Sequence, residues 1–243
     1  MMRYKLPKGA NEYVLLQRTS LIKDTRSKLI KKLSLIGMGK SYESVVKEQS
    51  KENNNEISDY YYTEIEKVFN AVKTHIPKHT KSILDVGSGL AGLEVFLWAL
   101  LKKNQPKIYL LDKTRREKKI WYEFKNHGAF YNSLGLAKKN LISNGVVSSK
   151  INLIEAPYNG VVRNIKNIDL VVSTISWGFH YPIDMYLNSV ITIMSKSGVL
   201  ILDIRKNTGG LEILASKFKT IHIIKNEKKY LTVKCLKKDL VIN

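Results

Sequence analysis

From Lys81 onward, short apolar runs alternate with segments of helical period, and this alternation restricts the fold more than any other feature of the 243-residue chain. The runs are SILDV (82–86), KIYLLD (107–112), INLIE (151–155), IDLVVS (168–173) and GVLILDI (198–204), with helical patterns at 90–101, about 130–143 and 185–194. Strands that are apolar on both faces and separated by helices predict a parallel sheet, covered on both sides and joined by right-handed crossovers. The end of the chain breaks this rhythm. TIHIIKN and KKYLTVKCL, separated by a short Lys/Glu turn, read as an antiparallel pair that closes the sheet. The expectation is an α/β chain with a mostly parallel sheet of seven strands ending in an antiparallel C-terminal hairpin.

The first eighty residues differ. Leu15, Leu16, Leu21, Ile22, Leu29, Ile30, Leu33 and Ile36 recur at helical intervals among lysines until Gly37 and Gly39 interrupt them. After a polar stretch, Ser58 and Asp59 are placed to cap a helix whose inner face carries Ile65, Val68, Phe69 and Val72, and Pro77 stops it. The chain therefore divides into an N-terminal helical cap or lid, 1–78, and a sheet domain, 79–243. That length suits one full core with a smaller appendage.

No run is long enough to span a bilayer, and the start MMRYKLPKGANEY lacks the apolar core of a signal peptide, so a cytoplasmic location is expected. Cys235 is the single cysteine and reads as a buried strand residue. Pro77 separates His75 from His79, so that pair forms no helical ligand set and no metal centre is expected. The net charge of +20 favours an anionic partner, nucleic acid included. Lysine, asparagine and isoleucine together are also what an AT-rich genome writes, and lysine lacks the fork by which arginine grips phosphate. Both explanations of the charge stand.

The first run leads into Gly87, Gly89 and Gly92, spaced G-x-G-x-x-G. In an open parallel sheet a ligand binds at the carboxyl ends of the strands, where glycines admit close approach and a helix start offers free N–H groups. This spacing alone suits a dinucleotide. S-adenosylmethionine has no phosphate and instead needs carboxylates for its ammonium group and ribose hydroxyls. Asp112, ending the second strand, serves either cofactor. Asp85, two residues before Gly87, suits the second.

LDVGSGLAG resembles motif I of the class I S-adenosylmethionine-dependent methyltransferases, YLLDKT their ribose-binding second motif, and IDLVVSTISW their motif IV. The resemblance spans roughly 60–235 and implies a Rossmann-like fold with S-adenosylmethionine as cofactor. It implies contacts from Asp85, Gly87, Ser88, Gly89 and Leu90, from Asp112, Lys113 and Thr114, from Glu155 and Ala156 beside the adenine, and from Ser173 and Thr174 near the transferable methyl. One position departs from the pattern: Ala91 stands where G-x-G-x-G has its third glycine, which makes Gly92 a helix-packing residue.

The acceptor side reads STISWGFHYP, 173–182. It lacks the Pro-Pro-aromatic element of amino-directed nucleic-acid methyltransferases. The Lys-Asp-Lys-Glu set of ribose 2′-O methyltransferases is not matched either, since Thr174 or Ser173 and then Asp203, Arg205 and Lys206 occupy the relevant strand ends. Trp177, Phe179, His180 and Tyr181 remain. A histidine near neutrality can take an acceptor hydroxyl's proton, which makes His180 the candidate general base, with aromatic walls aligning the acceptor. The same aromatics also suit packing of the loop onto the sheet. In the long connection KTRREKKIWYEFKNHGAFYNS, Arg115 with its neighbouring cations suits an anionic substrate, and Trp121 and Tyr131 suit stacking on a sugar or base; an amphipathic helix is the plainer alternative. The expected activity is O-methylation of a small-molecule or saccharide acceptor. An RNA or DNA methyltransferase and a nicotinamide-dependent oxidoreductase are the alternatives.

Overall fold

The computed structural model describes residues 4–17, 46–51, 54–116 and 131–237. Trp121, its neighbours Lys118, Lys119 and Tyr122, and the apolar positions Leu21 to Ile36 lie outside the described residues. The five expected parallel strands form as β1 (Ser82–Val86), β2 (Lys107–Asp112), β5 (Ile151–Glu155), β6 (Ile168–Ser173) and β7 (Met194–Arg205). The hairpin is β8 (Phe218–Asn226) and β9 (Tyr230–Lys237). They build one seven-stranded sheet in the order β5-β2-β1-β6-β7-β9-β8, in which β9 inserts antiparallel between β7 and β8. The order reverses between β1 and β6, which opens a crevice at their carboxyl ends.

Helices cover both faces. On one lie α1 (Ala10–Gln17), α2 (Asn54–Val72), α3 (Gly92–Leu100) and α4 (Leu134–Ser143), packed with Ile83, Ile108, Leu110, Val172 and Ile201. On the other, α5 (Asp184–Ile193) and α6 (Gly210–Lys217) pack with Leu84, Val86, Leu111, Val171 and Leu202. Because strand side chains alternate, Asp85, Asp112 and Asp203 share the first face with Ile83, Leu110 and Ile201. Three acids of three strands thus point toward the side that the N-terminal helices cover. Cys235 is fully buried in β9, and burial pushes its thiol up to about 12.

Several boundaries moved for local reasons. α2 starts at Asn54 rather than after Ser58, whose hydroxyl instead accepts the Leu6 N–H at 3.1 Å and ties down the N-terminal segment. Around 130 the expected helix gives way to β4 (Tyr131–Asn132), which pairs with β3 (Arg115–Arg116). Ser133 then caps α4 by accepting the Leu136 N–H at 3.3 Å. The two-residue ribbon draws together the ends of the long connection. β7 begins at Met194, where a register shift opposite Ile168 and Leu170 lets it continue past Gly198.

Gly92 opens α3, and a Cβ there would lie 2.4 Å from the Tyr61 hydroxyl and 2.8 Å from its ring carbons. The glycine therefore sets how closely α2 approaches the loop after β1. Gly92→Ala is expected to cost about 1–3 kcal/mol through overpacking. Tyr61→Ala in the same chain recovers part of that loss, measured as non-additivity in urea unfolding of the single and double variants.

Candidate active site

Val86 ends β1, and the chain turns through Gly87 at φ 82°, Gly89 at φ 54° and Ala91 at φ 58° into α3. Gly87 is obligatory twice over. Its conformation is left-handed, and a Cβ would sit 1.8 Å from Ser176 Oγ, which descends from the loop after β6. Ala91 holds a left-handed conformation that strains an L-residue by roughly 1–2 kcal/mol, so the departure seen in the motif is accommodated at a cost rather than by a different turn. The Leu90 carbonyl beside it accepts Asn140 Nδ2 at 2.8 Å.

Asp112 fastens this turn to β2. Its Oδ2 accepts the Gly89 N–H at 2.8 Å and its Oδ1 accepts the Lys113 N–H at 2.7 Å. Burial nevertheless lifts its carboxyl to about 6, against those bonds and the Asn132 side chain, which lower it. Behind the turn, Asp85 and Glu94 are both buried and within hydrogen-bonding reach of one another. Burial, and then the neighbouring Glu94, raise Asp85 well above the carboxylate range, while burial takes Glu94 to about 6.

Buried polar atoms with no hydrogen-bond partner among the described residues gather here: Asp85 Oδ1, Ser88 Oγ, both carboxyl oxygens of Glu94 and both amide atoms of Asn132. Folded chains satisfy nearly all such atoms, so a cluster of them beside a glycine turn marks a place for a polar ligand. The chemistry is acidic and amide-rich rather than cationic, which fits an ammonium group and sugar hydroxyls. On the far side of Asp112, Glu155 accepts the Thr114 N–H at 3.2 Å, and Ala156 donates its N–H to the Asp112 carbonyl at 2.9 Å. Lys113 Nζ stands 3.6 Å over the ring of the exposed Tyr158.

The loop after β6 separates the other candidates. The Ser173 hydroxyl donates to Val86 O at 2.7 Å and accepts the Trp177 N–H at 3.1 Å, so it joins two loops within the core. Trp177 is fully buried and donates its indole N–H to Ile183 O at 2.7 Å, which makes it a packing residue rather than a wall of an open pocket. Thr174 is half-buried next to it. Tyr181 turns its buried hydroxyl toward the acids: it lies 3.5 Å from Ser176 Oγ, and the charges of Asp112 and Asp85 add to the burial that raises it. His180 lies within reach of the Arg205 charge. Its ring packs on Phe179 with centroids 4.8 Å apart, and burial and the nearby Arg205 charge lower its pKa. Phe179 in turn meets Tyr230 and the Arg205 guanidinium. In the β3–β4 ribbon Arg115 pairs with Asn132, and Tyr131 with Arg116.

Two residues to which the sequence assigned no role shape this loop. Ile175 is β-branched yet sits at φ 52°, a strained conformation for such a side chain. Asp203 holds it there, its Oδ2 accepting the Ile175 N–H at 3.0 Å while Oδ1 accepts Thr232 Oγ1 at 2.5 Å. Asp203 and Glu94 were each a lone acid in an otherwise apolar stretch, GVLILDI and GLEVFLWAL, and that isolation was the available signal.

No protein-family model and no curated protein matches the chain. Solved structures do. An S-adenosylmethionine-dependent methyltransferase from Aquifex aeolicus aligns at TM-score 0.51 and 12% identity, covering 73% of this chain and 98% of that one. Precorrin-6y C5,15-methyltransferase from Geobacter metallireducens aligns at TM-score 0.50 and 15% identity, covering 72% and 87%. The fold is that of the class I methyltransferases. A dinucleotide-binding sheet continues in parallel past its fifth strand, whereas the methyltransferase fold of this chain closes with β9 set antiparallel between β7 and β8.

The buried acids make stability depend on pH. Burial holds Glu94, Asp112 and Asp203 each at about 6 in the folded chain, against roughly 4 when unfolded. Between those values the folded state retains protons that the unfolded state has released, so stability falls as pH rises through the interval and stays lower above it. Urea unfolding at pH 5 and pH 8 is expected to show that loss. Asp203→Asn, which keeps an acceptor for Ile175 and lets the Thr232 hydroxyl reverse its role, should reduce it by up to about 3 kcal/mol.

Proposed function

We propose that this chain is a cytoplasmic S-adenosylmethionine-dependent O-methyltransferase acting on a small-molecule or saccharide acceptor, an anionic one included. The observation that carries the reading is the group of unpartnered buried polar atoms around the glycine turn, at the point where the strand order reverses. Asp85, Gly87, Ser88, Gly89 and Leu90 are assigned to the amino-acid part of the cofactor, Asp112 to the ribose hydroxyls, and Lys113, Thr114, Glu155 and Ala156 to the adenine end. Bound there, S-adenosylmethionine supplies an electrophilic methyl group on a sulfonium. The chain's own task is to align an acceptor and remove its proton.

His180 is assigned that proton. Its lowered pKa keeps the imidazole neutral, and able to accept, at pH 7. Tyr181 and Ser176 present hydroxyls nearer the cofactor acids, suited to orienting a polar acceptor. Residues 1–78 serve as the cap: Gln17, at the end of α1, comes within 4 Å of a Cβ position on Gly89, and Tyr61 packs on Gly92. Among the described residues no helix is long and apolar enough to cross a membrane. The charge of +20 favours a nucleic-acid acceptor as the second reading.

Calorimetric titration separates these possibilities. S-adenosylmethionine and its demethylated product should both bind, and Asp112→Ala should weaken each at least tenfold; tight NADH binding with no response to either compound would sink the proposal. Radiolabelled S-adenosylmethionine offered with a small-metabolite extract and with total RNA locates the acceptor, and label in RNA together with steeply salt-dependent binding supports the second reading.

His180→Ala should lower turnover by about 100-fold while leaving cofactor affinity unchanged. The wild-type rate should rise with pH through the imidazole's depressed pKa and then level off. A variant as active as wild type removes His180 from the chemistry.

A further inference from the structure

β1 and α3 meet at a pair of carboxyls that has no counter-charge among the described residues. Asp85 follows Ile83 by two positions and so points to the face covered by α3. Glu94, in the first turn of that helix, points back at it. Asp85 is 5% exposed and Glu94 0%; among the described residues Asp85 Oδ1 and both Glu94 carboxyl oxygens lack a hydrogen-bond partner, and no cation acts on either group. The other titratable groups facing Asp85 are Asp112, at the end of β2, and the Tyr181 hydroxyl, from the loop after β6. Neither supplies positive charge.

Two carboxylates buried side by side without a cation cannot both remain ionised. The helix start decides where the shared proton rests. Free N–H groups and the positive end of the α3 dipole favour charge on Glu94, so Asp85, on the strand, takes the proton. The shifts have the same sense, Asp85 being raised well above its ordinary range and Glu94 to about 6.

We propose that Glu94 is a positioning residue that keeps Asp85 protonated in the ligand-free protein, and that arrival of the cofactor's ammonium group expels this proton. This rests on the cofactor reading above and goes further, since it makes binding selective for a cationic amino acid group and linked to pH. The singly protonated pair, its one charge on Glu94, is tolerated in the ligand-free core. With an ammonium present, the charged Asp85 gains a partner and Glu94 adds a second negative charge behind it. The balance is simple: one proton leaves the Asp85–Glu94 pair for solvent as one ammonium enters, and no covalent bond changes.

The test is calorimetry with S-adenosylhomocysteine in buffers of different ionisation enthalpy, which counts protons released on binding, between pH 5.5 and 8. The wild-type protein should release about one proton near neutral pH, with affinity rising by up to tenfold per pH unit below the pair's titration range. 5′-Methylthioadenosine has the ribose and adenine but no ammonium group, so it should release about one proton fewer; the comparison subtracts any contribution from Asp112. In Glu94→Gln, the amide donates to an ionised Asp85, and the excess release with S-adenosylhomocysteine should vanish. Equal release with the two ligands, or undiminished release in Glu94→Gln, overturns the inference while leaving the cofactor reading intact. Failure of both ligands and of S-adenosylmethionine to bind overturns the cofactor reading and the inference together. If Glu94→Gln does not fold, the two-ligand comparison on the wild-type protein decides alone.

Discussion

Asp112 is where three segments of the chain become one site. Its carboxylate takes the Gly89 N–H from the turn after β1, its carbonyl takes the Ala156 N–H from the chain leaving β5, and the neighbouring Leu111 carbonyl takes the Gly87 N–H. The glycine turn cannot relax away from β2 while those bonds hold. Its left-handed residues, Ala91 among them, are therefore held rather than merely permitted. The same bonds hold in place an acid that burial makes reluctant to ionise.

The N-terminal helices are part of this construction. Tyr62 donates to Asn140 Oδ1 at 2.7 Å, and Asn140 donates to the Leu90 carbonyl in the glycine turn. Asn144 adds bonds to Tyr62 and to the backbone of Lys5. A buried chain of this kind is worth having only when every member is satisfied, so the N-terminal segment, α2 and the turn are expected to order together. The N-terminal segment and α2 are thus tied to the loop by polar contacts as well as through Tyr61.

The strands were legible almost residue by residue: β1 and β6 are buried on both faces, and the edge strand β5, although its Leu153 is exposed, keeps the same apolar run. Helix starts were less legible. Ser58 looked like a cap but was claimed by Leu6, and Asn132 left the expected helix to pair with Arg115, both through partners distant along the chain. In the site, motif I and the acid ending β2 pointed to the edge of the sheet where the unpartnered buried polar atoms gather. The aromatic cluster was harder to read: Trp177 went into the core, whereas Tyr181 turned to the acids and His180 toward Arg205, since neighbouring residues of a tight loop diverge.

Local pattern settled which runs are strands, which end of them carries the glycines, and which residues carry charge. Periodicity and backbone stereochemistry are properties of consecutive residues, so consecutive residues suffice to read them. The juxtaposition of Asp85 with Glu94, the hold of Asp203 on the strained Ile175, and the desolvation that lifts these acids came from folding alone. Each depends on how deeply a side chain is buried and on which distant group it meets there, and neither is written in the neighbours along the chain.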